Sequence, residues 1–249
     1  MRNGFRVFDT HTHIGTALHS GRRISADDLL RAMDAAGVDR AVAIPFPMVT
    51  DYRAEHDEIA RAVRTHADRL TGAACIDPFL DEDEFRTELK RCTSEFGFRA
   101  LKLQPQYHGL NPLSKRAHAY FEAASEYGLP IICHTGTGAP FALPSLFIAP
   151  ARAFPSLRII LGHSGGSIYF AEAIVAATVC SNIYLDLSSL MPHHITEVLT
   201  HVTPSRLMIG SDIPESMETE VSKIFSLELS SEDRSHILWN TASAVFLVK

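Results

Sequence analysis

The sequence predicts an α/β fold, a single-domain (β/α)8 barrel spanning residues 1–249. Three observations predict it. The length, 249 residues, is close to the ~250 typical of one such barrel. Short runs that are apolar on both faces alternate with longer amphipathic segments, as in a parallel sheet covered by helices. Eight such runs fit into the chain, which favours a closed barrel over a doubly wound open sheet. No Gly-x-Gly-x-x-Gly follows the first run and no P-loop is present, which weakens the nucleotide-binding form of the open sheet.

The first strand is expected from Phe5 to Asp9. A helix then opens at Ser25, paired with Asp28 three residues on as a capping box, and closes at Gly37. Arg40 to Ile44 is the second strand, ended by Pro45 and Pro47. A polar helix from Asp51 to Thr65 leads to a third strand, Leu70 to Ile76. Glu82 to Glu95 reads as a helix whose acidic start suits the positive end of its dipole. Ala100 to Leu103 is the fourth strand, and Ser114 to Tyr127 a helix ended by Gly128. Ile131 to Cys133 and Arg158 to Leu161 are the fifth and sixth strands. A helix from Ser167 to Val179 and a seventh strand, Ile183 to Asp186, follow. A short helix begins near Pro192, Leu207 to Ile209 is the eighth strand, and the tail from Glu232 to Val248 is helical. No linker, low-complexity segment or repeat divides the chain.

Composition excludes several classes. The net charge of -6 lacks the basic face that nucleic-acid binding usually needs, although it leaves room for a local basic pocket. The 4 cysteines form no Cys-x-x-Cys pair and read as reduced, structural thiols of a cytoplasmic protein. Met1 to Gly4 runs straight into the first strand, which leaves no room for a signal peptide. No apolar run reaches the ~18 residues of a membrane helix. The expected partner is a small-molecule substrate, with no nucleic acid and no membrane; a homodimer is an expectation that no specific residue supports.

The strongest local signal is Asp9-Thr10-His11-Thr12-His13. Side chains two apart on a strand point the same way, so His11 and His13 share one side, and two imidazoles so placed suit a divalent transition metal. His-x-His alone is weak evidence. It gains weight because other strands end in residues of the same kind: His134 after Ile131-Ile132-Cys133, His163 after Ile160-Leu161-Gly162, and Asp212 after Ile209-Gly210-Ser211. A barrel draws its catalytic residues from several strand ends.

These pieces, in this order, resemble the amidohydrolase superfamily and more closely its amidohydrolase-2 branch, which includes aminocarboxymuconate-semialdehyde decarboxylase-like enzymes. Phe8-Asp9-Thr10-His11-Thr12-His13, Ala100-Leu101-Lys102-Leu103, Ile132-Cys133-His134-Thr135-Gly136, Leu161-Gly162-His163-Ser164-Gly165-Gly166, Ile209-Gly210-Ser211-Asp212 and Ile237-Leu238-Trp239-Asn240-Thr241-Ala242 carry the resemblance. It implies a TIM barrel with a divalent metal ion on His11, His13 and His134. Asp212 is then a further ligand or a base for the metal-activated water, and His163 holds the substrate or transfers a proton. Zinc is the first expectation, with manganese or another transition metal as alternatives. Lys102 implies a second metal if it is carboxylated; a plain lysine instead pairs with Asp9, Asp212 or a substrate carboxylate.

The implied reaction is hydrolysis of a small-molecule ester, lactone or amide. The same residues also suit non-oxidative decarboxylation of a small unsaturated or aromatic acid, and a metal-dependent phosphoesterase is a third reading. Lys102, Gln104, Tyr107, His108 and Ser188 are the expected substrate contacts. Arg22 and Arg23 read as solvated, His56, His66 and His118 as surface residues on helices, and Cys133 as core packing rather than a nucleophile.

Overall fold

The protein's computed structural model describes residues 1–138 and 140–248. The elements are, in order, β1 (Phe8–Thr16), β2 (Arg23–Ile24), α1 (Ala26–Ala36), β3 (Arg40–Pro45), α2 (Tyr52–Thr65), β4 (Leu70–Ala74), α3 (Glu82–Lys90), β5 (Ala100–Leu103), α4 (Pro105–His108), α5 (Lys115–Glu126) and β6 (Ile131–His134). Then come α6 (Ile148–Ala153), β7 (Ile159–Gly162), α7 (Gly166–Val179), β8 (Ile183–Asp186), α8 (Pro192–Leu199), β9 (Leu207–Met208), α9 (Met217–Phe225), α10 (Ser231–Ser235) and α11 (Thr241–Val245). All nine strands belong to one sheet, ordered β2-β1-β3-β4-β5-β6-β7-β8-β9. Every neighbouring pair is parallel except the short β1–β2 ribbon. The chain after β9 returns alongside β1: the Thr10 N–H donates to the Ile209 carbonyl at 2.9 Å, Ser211 N–H to His11 O at 3.1 Å, and His13 N–H to Asp212 O at 3.0 Å.

Local chemistry explains most boundaries. The Ser25–Asp28 capping box starts α1, and Gly37 ends it at φ 71°, a left-handed turn that glycine makes without a Cβ penalty. Asp51, Asp81 and Ser114 cap α2, α3 and α5 with their side chains. Several boundaries differ from the sequence reading. The first strand begins at Phe8, not Phe5, because Asn3 and Gly4 turn at positive φ and Arg2 pairs back to Phe5; it then continues through both histidines to Thr16. The strand at Leu70 stops at Ala74 because the Cys75 N–H turns to His56 Nε2, 3.0 Å away. The helix expected over 82–95 widens into a π turn at Arg91–Glu95, as does the C-terminal helix at His236–Asn240.

Strand alternation builds two apolar layers. Leu101, Leu103, Ile131, Cys133, Ile159, Leu161, Ile183 and Leu185 face the helices. Phe8, Val42, Ile44, Ala73, Ala100, Ile132, Ile160 and Met208 face inward, packed against Trp239, Ala242, Val245 and Phe246 of the C-terminal segment. The Phe8 ring lies 5.6 Å from Trp239 and 5.8 Å from Phe246. The start of the strands is therefore sealed by apolar side chains, and the polar residues gather at the C-terminal ends. No helix among the described residues is long and apolar enough to cross a membrane.

Candidate active site

By strict alternation from the inward-facing Phe8, His11 and His13 belong on the helix side. The β1–β3 register shifts between Asp9 and Thr12, and beyond it the even-numbered Ile14 lies in the outer core. That irregularity reverses the parity and turns both imidazoles inward. Lys102 from β5 and His134 from β6 share the inward parity of Ala100 and Ile132. His163 follows β7, Asp186 ends β8, and Asp212 lies beyond β9.

The backbone is strained here. Among the described residues, six non-glycine residues have positive φ, and four belong to this region: His163 (63°), Ser164 (46°), Ser189 (61°) and Asp212 (66°). Each such conformation costs of order 1–3 kcal/mol and persists only when its surroundings hold it. Ser164 Oγ–H donates to Asp186 O at 2.6 Å, and Gly165 N–H to Thr135 Oγ1 at 2.8 Å. Asp212 is tied to β1 through its N–H to His11 O at 2.7 Å.

The hydrogen bonds orient the rings. His11 Nδ1 lies 2.8 Å from Asp186 Oδ2, His13 Nδ1 3.0 Å from Pro45 O, and His163 Nδ1 2.8 Å from Ser188 Oγ. The three opposite nitrogens converge on one atom: Asp212 Oδ1 lies 3.7 Å from His11 Nε2, 3.8 Å from His13 Nε2 and 3.7 Å from His163 Nε2. Lys102, fully buried, brings Nζ to 2.7 Å from His11 Nε2. His134 stands beside His163, ring centroids 4.9 Å apart, but its Nε2 is bound to Thr137 O at 2.7 Å.

Burial holds these rings neutral. It pushes His11 and His13 well below the usual imidazole range, His134 down to about 3 and His163 down to about 4. The Lys102 ammonium and neighbouring imidazoles add to the lowering at His11 and His134. Burial likewise lowers Lys102 and raises the Asp9 carboxyl to about 7. Asp9 Oδ1 accepts from the His11 and Ser211 N–H groups at 3.0 and 3.1 Å.

A cavity of about 530 Å³ opens over this cluster. His13, His134, His163 and Asp212 form its floor, and Gln104 and Tyr107 stand in its wall. Phe46 stacks on His13 with ring centroids 5.2 Å apart, and His19 on Tyr107 at 5.3 Å. Three expected contacts lie elsewhere: Lys102 is fully buried against His11, and Ser188 is fully buried behind His163, where the neighbouring Ser189 lines the cavity instead. His108 donates through Nε2 to Pro47 O at 3.1 Å and borders an adjacent cavity. Arg22, read as solvated, lines the main cavity and pairs with Glu215.

His56 is corrected outright. It is fully buried, with Nδ1 2.7 Å from Glu88 Oε1 and Nε2 accepting the Cys75 N–H. A helical position with acidic neighbours in sequence gave no sign that Glu88 reaches it from α3. Asp186 was placed only as a strand end; the Asp-x-Ser pattern at Asp186 and Ser188 was the available signal. Gly162 and Gly210 were also missed as packing positions: a Cβ on Gly162 falls 3.1 Å from His11 Cε1, and one on Gly210 falls 2.5 Å from Asp186 Oδ1.

This geometry accompanies a match along nearly the whole chain, since an amidohydrolase family model (Amidohydro_2) fits residues 8–248. The chain belongs to the amidohydrolase family. Solved structures similar to this amidohydrolase include 4-oxalomesaconate hydratase from Rhodopseudomonas palustris, at 19% identity and TM-score 0.74, covering 97% of this chain and 95% of that chain. A 5-carboxyvanillate decarboxylase from Novosphingobium aromaticivorans, complexed with manganese and 4-hydroxy-3-methoxy-5-nitrobenzoic acid, is similar at 17% identity and TM-score 0.77, covering 98% and 97%. An uncharacterized TIM-barrel protein from Bordetella bronchiseptica reaches TM-score 0.79 at 15% identity, covering 98% and 99%. At these identities the amidohydrolase shares their fold. No curated protein matches its sequence.

Proposed function

We propose that this amidohydrolase is a metal-dependent hydrolase of a small-molecule ester, lactone or amide, built on one closed (β/α)8 barrel over residues 1–249. The observation that carries the reading is the approach of His11 Nε2 and His13 Nε2 to Asp212 Oδ1 at 3.7 and 3.8 Å, with His163 Nε2 alongside at 3.7 Å. Zinc–nitrogen bonds of about 2.0–2.1 Å put the corners of a tetrahedral site about 3.4 Å apart, so this donor set is close to the size a divalent ion needs. His11, His13 and Asp212 also form one of the His/Asp groups compact enough to hold an ion. The donors fit one divalent ion, zinc first and manganese second. Such an ion supplies Lewis-acid activation of water or of a substrate oxygen.

His11, His13 and Asp212 are the proposed core of the metal site. His134 is the proposed fourth donor, through Nδ1, because its bond to Thr137 O puts the proton on Nε2. His163 then remains free for proton transfer. Its Nδ1 is backed by Ser188 and, through Ser188, by Asp186, a support that offsets part of the burial penalty when Nε2 takes up a proton. Asp212 Oδ1, 3.7 Å from that nitrogen, is placed to exchange the proton with it. Gln104 and Tyr107 hold the substrate in the cavity. One ion, with Lys102 uncarboxylated, is preferred to a bridged pair.

Decarboxylation of a small unsaturated or aromatic acid is the second reading. The fold shared with the manganese-bound 5-carboxyvanillate decarboxylase favours it, and so does the flat Phe46 wall beside His13.

Elemental analysis of the purified protein beside a His11→Ala/His13→Ala variant tests the centre. The expected result is about one equivalent of divalent metal, absent from the variant. Proton release from lactones and esters, set against carbon dioxide release from unsaturated and aromatic acids, then separates the two reactions. Wild-type protein that takes up no zinc or manganese on reconstitution overturns the proposal.

A further inference from the structure

Asp186 is fully buried and makes no approach to the cavity, yet it touches the supports of two of the converging rings. Its Oδ2 lies 2.8 Å from His11 Nδ1, 2.9 Å from Ser188 Oγ and 3.3 Å from the His163 N–H; its Oδ1 accepts the Ser188 N–H at 2.9 Å. Ser188 Oγ in turn lies 2.8 Å from His163 Nδ1. We propose that Asp186 is the positioning residue that fixes both His11 and His163 as Nδ1–H tautomers, directly for His11 and through Ser188 for His163.

Proton counting leaves one consistent assignment. A carboxylate only accepts, so His11 carries its proton on Nδ1. Ser188 has one hydroxyl proton. If it went to His163, Ser188 Oγ and Asp186 Oδ2 would face each other at 2.9 Å as two acceptors. The hydroxyl therefore donates to Asp186 and accepts the His163 Nδ1–H. Both rings then turn an Nε2 lone pair toward Asp212. Carboxylate partners of ligating histidines fix tautomer and ring orientation in this way. Gly210 makes the arrangement possible, since any Cβ there falls 2.5 Å from Asp186 Oδ1.

The inference rests on the metal-centre reading for its purpose, not for its geometry, and the test separates the two. Metal-free protein labelled with ¹⁵N-histidine reports each ring's tautomer in long-range ¹H–¹⁵N spectra, with His11 and His163 assigned from single His→Gln variants. Wild type is expected to show Nδ1–H at both. Ser188→Ala is expected to release His163 and leave His11 unchanged; Asp186→Asn is expected to disturb both, and to weaken zinc or manganese binding about 10–100-fold by calorimetry. Loss of both Nδ1–H tautomers in Asp186→Asn with a native circular dichroism spectrum separates positioning from a merely structural role. An Nε2–H tautomer at either ring in wild type, or an unchanged His163 in Ser188→Ala, overturns the inference, and both outcomes are readable should Asp186→Asn fail to fold. Wild type with both Nδ1–H tautomers but no metal uptake overturns the metal-centre reading alone.

Discussion

The neutral state of the buried imidazoles has a measurable consequence in the metal-free protein. An imidazole titrates near 6.5 in the unfolded chain but at about 4 for His163 and about 3 for His134 in the folded one. Between those values the unfolded chain binds a proton that the folded chain refuses, so stability is full above pH 6.5 and falls with pH. Going from pH 7 to pH 5 costs about 2 kcal/mol per ring. His11 and His13, lowered further by burial, act in the same direction. Asp9 acts in the other direction: raised from 3.8 to about 7, it contributes stability at low pH that is lost as pH rises, so acidification returns about 2 kcal/mol. His163 and the partly exposed His134 together outweigh the gain at Asp9, and His11 and His13 add to the loss, so the metal-free protein loses net stability on acidification. Urea unfolding of EDTA-treated protein at pH 5, 6 and 7, followed by circular dichroism, measures it. His163→Gln is expected to flatten the dependence by about 1 kcal/mol per pH unit between pH 5 and 6. Unchanged stability from pH 7 to pH 5, or the same slope in wild type and His163→Gln, refutes the assignment of neutral buried rings.

Two further substitutions separate site from scaffold. Gly210→Ala places a Cβ 2.5 Å from Asp186 Oδ1 and 2.9 Å from His11 Cβ; relieving those overlaps by a shift of about 1 Å in the proposed centre costs roughly 100-fold in rate, so metal content and kcat/KM should fall while the circular dichroism spectrum stays native. His56→Ala leaves Glu88 and the Cys75 N–H without their buried partner and is expected to cost about 3 kcal/mol in urea unfolding. Its kcat should stay near that of wild type, because the ring lies outside the cavity; a large kcat loss at full metal content would tie α2 to catalysis instead.

What was legible in the sequence follows from the range of each signal. Capping residues and apolar runs act over a few positions, so Ser25, Asp28 and Gly37 marked α1 correctly. The strand ends at His134, His163 and Asp212 could be read because each polar residue closes an apolar run. The contacts that orient these residues join positions far apart in the chain, such as His11 to Asp186 and His56 to Glu88. No local pattern encodes those pairs. The same limit hid the position of Ser188, whose place behind His163 depends on the strained turn at Ser189 and on how β7 and β8 align.

Lys102 shows how far parity alone carries. Alternation from Ala100 predicts that it points inward, and it does. Alternation from Phe8 sends His11 the other way, and only the register shift between Asp9 and Thr12 brings the two side chains together. Once they meet, the number of ions becomes a question of one lone pair. His11 Nε2 can serve the Lys102 ammonium or a metal ion, not both, and burial already disfavours the charged amine. On the proposed reading, an ion held by His11 Nε2 would displace the Lys102 amine from that nitrogen.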